Sequence, residues 1–320
     1  MQIHQTSILL APECRQLRFL PEGPISHGNQ GFSWVAIQHA EDIVCGSLNL
    51  YDWDARSNTN YELPGRPGFA FPTERDEIFV AGIERHVMIV NISTGEHTVV
   101  SDEIDQNVEN TIINDGIPVS EGIIFGAKDL EFQTQKAGLY FWRASDRKLI
   151  LLRDDQICSN GKIVTGSGNQ KILLDIDTPT QRVVRYTLDV EVGTLSDAEV
   201  VLDLTYLDIF PDGMVATPDG KSVIIAFYNP HAAEYGVARQ FSLASGAVEA
   251  EWRCDGAPRV TCPLLLNTTD GVKLILTTAT EVMDSEMFES HPNSGCLFVG
   301  DTTFESAPID YRFTGEQLGI

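Results

Sequence analysis

The sequence predicts an all-β fold, a six-bladed β-propeller with four antiparallel strands per blade. A phrase rich in glycine, proline and acidic or amide residues returns six times. Its copies are Leu20-Pro-Glu22-Gly23-Pro24, Gly65-Arg-Pro-Gly68-Phe69, Ile113-Asn114-Asp115-Gly116, Cys158-Ser159-Asn160-Gly161, Phe210-Pro211-Asp212-Gly213 and Arg259-Val-Thr261-Cys262-Pro263. Between Glu22, Gly68, Asp115, Asn160, Asp212 and Thr261 the intervals are 46, 47, 45, 52 and 49 residues, the length of one propeller blade. The stretches between phrases hold turns and further strands rather than the long helical patterns a doubly wound α/β fold requires.

Each phrase reads as a turn that leads into a β-rich run. These runs lie at 32–37, 77–81, 122–126, 171–176, 222–227 and 273–278, and they are expected to be the inner strands. Asp219-Gly220 and Asp270-Gly271, ahead of the last two, are hairpin chemistry. A second family of runs begins near Ser47, His86, Gly138, Arg182, Val237 and Gly295, with Gly95 and Gly246 in turns toward the outer edge. Four strands per blade then account for nearly the whole chain, so residues 1–320 are expected to form one domain.

Composition narrows the function. Lys and Arg number 22 against 46 Asp and Glu, a formal charge of −24, which repels phosphate backbones and anionic lipid, so neither nucleic acid nor membrane is expected as a partner. No apolar run reaches the ~18 residues of a membrane helix. The N-terminal stretch has no basic segment followed by a long apolar one, so a cytoplasmic protein is expected, as a monomer or weak homo-oligomer. The six cysteines are dispersed without a C-x-x-C pair and read as reduced, mostly buried small hydrophobes. The seven histidines fall at different phases of the repeat, and no zinc-protease, nucleophile-elbow, EF-hand or Walker pattern occurs.

What remains is a set of oxygen donors at one phase of the repeat. In a propeller, residues at one phase face the central axis, so Glu22, Asp115, Asn160 and Asp212 are expected to converge. The carboxylates of Glu22 and Asp212 with the carbonyl oxygen of Asn160 suit a divalent cation: Ca²⁺ first, with Mg²⁺, Mn²⁺ or Zn²⁺ also acceptable.

These phrases, in this order and spacing, resemble the SMP-30/gluconolactonase/regucalcin family of six-bladed propellers, which also includes luciferin-regenerating proteins. The resemblance covers most of the chain, from Pro21-Glu22-Gly23-Pro24 to Val260-Thr261-Cys262 and Thr277-Thr278-Ala279. It implies one divalent metal held by Glu22, Asn160 and Asp212. It also implies contact of Asn114 with substrate or water, bracing of the loop by Asp115, and a substrate-binding place for Glu131. Three positions depart from the family pattern. Ser26 stands where a tryptophan is common, Ile112 where sugar-lactone members carry arginine, and Pro263-Leu-Leu-Leu266 replaces an aromatic-glycine segment. A polyhydroxylated lactone would lose a hydrogen-bonding cation at Ile112.

The resulting expectation is a metal-dependent hydrolase of a lactone or other small-molecule ester, with Asp212 as ligand and general base. The alternatives are hydrolysis of a different ester or an organophosphate, a metal- or metabolite-binding propeller without turnover, and a protein-binding scaffold.

Overall fold

In the computed structural model, which describes residues 1–28 and 31–320, strands dominate and the helices are short. The architecture is the six-bladed β-propeller: six sheets, each with four antiparallel strands, consecutive in the chain in every sheet but one. The chain divides into two compact units, Met1–Arg66 with Tyr206–Ile309, and Pro67–Thr205 with Asp310–Ile320.

The first unit holds three sheets. One runs Pro21–His27, Gly31–Ala36, Ser47–Asp52, Ser57–Glu62. The next runs Phe210–Ala216, Ser222–Tyr228, Tyr235–Ser242, Val248–Asp255. The third runs Val260–Thr268, Gly271–Thr278, Leu297–Asp301 and takes its outermost strand, Ser7–Leu10, from the N-terminal end of the chain. Just before it, Gln2–Gln5 adds a parallel fifth strand to Val248–Asp255. The N-terminal segment thus sews two sheets together at their outer edges. His4 stacks on Trp252 with ring centroids 4.9 Å apart, and the Thr6 hydroxyl donates to the Arg253 carbonyl at 2.7 Å.

The second unit holds the other three sheets, which begin with Pro67–Pro72, Thr111–Val119 and Ser159–Thr165. In the last of these, two short strands, Thr194–Leu195 and Glu199–Asp203, share the edge of Arg182–Asp189. Hydrophobic cores lie between neighbouring sheets. Phe32, Trp34, Tyr51 and Trp53 pack with Leu264, Leu266 and Ile275 in the first unit, and Ile124, Leu139 and Phe141 pack with Leu173, Tyr186 and Leu188 in the second. Apolar residues on both faces of a strand follow from this sandwiching, which is why these strands read as short continuous apolar runs.

The structure corrects one reading of the repeat. The glycine- and proline-rich phrases are strands, the first of each sheet, and the runs expected to be innermost are the second strands. What looked like a turn is a β-bulge. Pairing between first and second strands shifts register between Glu22 and Ile25, Pro67 and Phe69, Ile113 and Asp115, Asn160 and Lys162, Pro211 and Met214, and Val260 and Pro263. A bulge bends the strand and re-aims the side chain beside it.

The glycines have a separate role. A Cβ on Gly68 would meet the Ile113 and Asn114 carbonyl oxygens at 2.6 and 2.8 Å, and one on Gly213 would meet Cys262 Sγ at 2.5 Å. First strands of adjacent sheets therefore approach each other at main-chain distance, which only glycine allows.

Gly68→Ala should consequently destabilise the protein by about 2–4 kcal/mol, because the obstacle is backbone that cannot rotate away. Chemical unfolding measures it, and a variant within 0.5 kcal/mol or so of the parent would contradict the close-approach argument.

Candidate active site

In the first unit, Glu22 and Asp212 occupy the bulges of two first strands, each 7% exposed. The strand Val260–Thr268 supports both. The Thr261 hydroxyl donates to the Pro21 carbonyl at 2.7 Å and lies 2.7 Å from the Thr277 hydroxyl, while Gly213 packs on Cys262. Glu22 Oε2 accepts from the Gly23 amide at 2.9 Å, which fixes one carboxylate oxygen against its own strand. Beside Asp212, burial pushes the Tyr228 phenol well above its ordinary range, and the charges of Glu281 and Asp212 add to the shift.

In the second unit, Asn114 and Asn160 come together, each 6% exposed. Asn114 Nδ2 donates to Asn160 Oδ1 at 2.8 Å and to the Ser159 carbonyl at 2.9 Å. Asn160 Nδ2 donates to the Thr178 hydroxyl at 2.8 Å. With both NH₂ groups engaged by protein, the carbonyl ends are the parts of these amides with acceptor capacity left.

Asp115 follows Asn114 on the same strand, Thr111–Val119. Its carboxylate caps the Gly116 amide at 2.7 Å, and burial pushes its pKa up, with Lys162 only partly opposing.

Lys162 is a functional-region residue that the phrase pattern missed. Its buried ammonium donates to the Asn160 carbonyl and the Ser159 hydroxyl, both at 2.8 Å, and stands 3.4 Å from Asp175 Oδ1. Gln156 Nε2 donates to Asp175 Oδ2 at 2.7 Å. Asp177 accepts from the Cys158 amide at 2.8 Å and the Ile157 amide at 3.1 Å. Burial nonetheless leaves its pKa raised, those amides and Lys162 opposing the shift. The available signal was an aspartate inside the apolar run Ile172-Leu-Leu-Asp175-Ile176, since a charge in a doubly covered strand needs a buried partner.

Glu131 lies in the turn after the strand Gly122–Asp129. It is exposed, and its side chain accepts from Asn110 Nδ2 at 3.3 Å. The loop that carries it is anchored by fully buried Asp129, which accepts from the amides of Glu131, Gln133 and Thr134 and pairs with Lys136 at 3.0 Å. Burial alone would raise the Asp129 pKa, but the Lys136 contact and these amides outweigh it and bring it down to about 2.

No cluster of three or more His, Cys, Asp or Glu able to hold a metal occurs among the described residues. The candidate donors are oxygen atoms of two carboxylates and two amides. That set fits a hard cation such as Ca²⁺, Mg²⁺ or Mn²⁺ better than zinc, which favours nitrogen and sulfur.

Fold and site together define a six-bladed propeller that carries buried hard-oxygen donors at the bulges of its first strands. The chain belongs to the SMP-30/gluconolactonase/LRE-like family, whose model matches residues 20–280. It is 29% identical over 279 residues to a Bacillus subtilis (strain 168) protein described as "Putative sugar lactone lactonase YvrE", covering 87% of this chain and 89% of that one. Among solved structures it resembles the calcium-binding protein regucalcin from Agrobacterium tumefaciens, with TM-score 0.79, 19% identity, and 98% and 99% of the two chains covered. It also resembles a gluconolactonase from Xanthomonas campestris, with TM-score 0.62, 12% identity, and 90% and 87% covered. At these identities the structural likenesses establish the fold.

The Asp129 anchor makes a pH prediction. A carboxylate whose pKa is depressed on folding contributes stability that is present above its unfolded value near 3.8 and is lost as pH falls toward about 2. Asp129→Asn should lose about 1.5–3 kcal/mol at neutral pH and show a flatter stability profile between pH 4 and 2 than the parent. Parallel profiles for the two proteins would remove Asp129 from that role.

Proposed function

We propose that this protein is a metal-dependent hydrolase that opens a lactone. The observation that carries the reading is the recurrence of buried oxygen donors, Glu22, Asn114, Asn160 and Asp212, at the bulges of first strands, in a chain of a family that includes proteins named as lactonases.

In this reading Glu22, Asn160 and Asp212 would hold one divalent ion, Ca²⁺ before Mg²⁺ or Mn²⁺, with Zn²⁺ the least suited. When bound, the cation supplies positive charge that polarises a lactone carbonyl and stabilises the developing oxyanion. Asp212 would take the proton from the attacking water. Asn114, held by its contacts to Asn160 and Ser159, orients the carbonyl or the water through its own Oδ1. Glu131 would reach substrate only from its exposed loop, so its proposed part is contact with the distal portion of the ligand. The partner is accordingly a small cyclic ester, and a cytoplasmic enzyme remains our reading of location.

A non-catalytic metal- or metabolite-binding propeller is the second reading. The observation favouring it is Ile112, which lies buried where a polyhydroxylated ligand would need a polar partner.

Calorimetric Ca²⁺ titration paired with proton release on a lactone panel separates the two. Asp212→Ala should lose turnover by at least about 10³-fold and weaken metal binding together. Asn114→Ala should lower kcat by about 10–100-fold with metal affinity nearly kept. An Asp212→Ala protein that binds metal and retains its rate would rule out the base assignment, and metal binding without turnover of any lactone would leave the binding-protein reading.

A further inference from the structure

Val282 is held in the left-handed region, with φ of 59°, yet its side chain is 74% exposed. A β-branched residue at positive φ is an outlier that costs about 1–3 kcal/mol and persists only where the surroundings impose it. Here the surroundings do. The buried Arg259 guanidinium donates to the carbonyls on both sides of the strained unit, those of Glu281 and Val282, the latter at 3.4 Å, and also to the Pro230 carbonyl at 3.2 Å. The Tyr228 hydroxyl donates to the Glu281 carbonyl at 3.1 Å. The Glu281 amide donates to the Phe19 carbonyl at 2.9 Å, three residues before Glu22. Arg259 also lies over the Tyr228 ring, 5.4 Å from its centroid.

The clamp therefore fixes an exposed isopropyl group at the end of the first unit where Glu22 and Asp212 lie. Tyr228 ties the two places together, because it is the strand partner of Phe210, two residues before Asp212. Phe210 is itself a partly exposed large hydrophobic, and Tyr206 in the connection before it is more so. Arg259 directs its guanidinium to the Glu281, Val282 and Pro230 carbonyls, so it is not offered to a ligand. An alkyl chain finds aromatic and aliphatic surface at Phe210, Tyr206 and Val282.

We propose that Val282, with Phe210, is a specificity-determining contact for an apolar substituent on the cyclic ester, so that the preferred substrates are alkyl-substituted lactones rather than sugar lactones. The inference rests on the lactonase reading for its substrate class, but the contact itself is a binding property.

The test measures affinity by calorimetry, and KM and kcat by proton release, for a series of γ-lactones from γ-butyrolactone to γ-undecalactone, with glucono-δ-lactone alongside. A fully buried methylene is worth about 4-fold in affinity, so partial burial should give the parent about 2- to 3-fold tighter binding per added methylene over the first few carbons. Val282→Asp should flatten that series to about 1-fold per methylene, and Val282→Ile should keep the parental slope. A parent without chain-length dependence, a Val282→Asp series as steep as the parent's, or tighter binding of glucono-δ-lactone than of the alkyl lactones would each overturn the proposal. Chain-length-dependent binding without hydrolysis would instead overturn the lactonase reading and leave the apolar contact standing.

Discussion

The close approach of first strands is the constraint on which the rest of the structure depends. When the backbones of adjacent sheets come as near as Gly68 to the Ile113 and Asn114 carbonyls, or Gly213 to Cys262, there is no room for a side chain between them. Residues next to the contact must be turned aside, and a bulge does this by adding one residue to the strand and rotating the next. Glu22, Asn160 and Asp212 sit where pairing shifts in all three strands. At Asp212-Gly213 the glycine that permits close packing and the polar residue beside it are therefore one device. This explains why the phrase couples them in sequence, and why candidate ligands are buried without belonging to the hydrophobic core.

Burying polar groups at these places carries an electrostatic cost that the second unit meets with an internal ion cluster. Lys162 holds the Asn160 carbonyl and Ser159 hydroxyl, with Asp175 beside it and Asp115 within its field. Such a buried arrangement adds little net stability compared with a well-packed apolar one, but removing a single partner strands the others at about 3–5 kcal/mol. Its value lies in position. Through Asn160 and Ser159 it fixes the acceptors to which Asn114 donates, so two amides that would otherwise have several rotamers are left with one. Asp177 adds to this by gripping the amides of Ile157 and Cys158 just upstream.

The period, the number of blades and the identity of the polar phase were legible in the sequence because all three are written in local chemistry that repeats. The assignment of the phrase to a turn was not, since Asn-Gly and Asp-Gly have the same composition whether they form a hairpin loop or a bulge packed against a neighbour. Only the first strand of the neighbouring sheet, roughly 45–50 residues away, decides between them. The origin of the outermost strand Ser7–Leu10 was hidden for a related reason: its partner lies at the far end of the chain. Lys162 and Asp175 were legible only as charges in apolar runs. Val282 was not legible at all, because a backbone dihedral imposed by Arg259 leaves no trace in the residues around it.

The distribution of strain and of fixed charge bears on how such a site discriminates ligands. Rigid placement favours a contact because no ordering entropy is lost when ligand arrives. Asn114 and Asn160 are preset by hydrogen bonds, and Val282 is preset by a clamp on its flanking carbonyls. The first kind of presetting supports a polar reacting group, which any ester carries, so it cannot tell one lactone from another. In the proposed reading, the second supports the part of the ligand that varies. A chain that keeps a β-branched side chain exposed at an unfavourable φ, and spends a buried arginine on holding it there, loses stability for a feature that packing does not require. Within the proposed function, that side chain is placed to touch something that arrives from solvent.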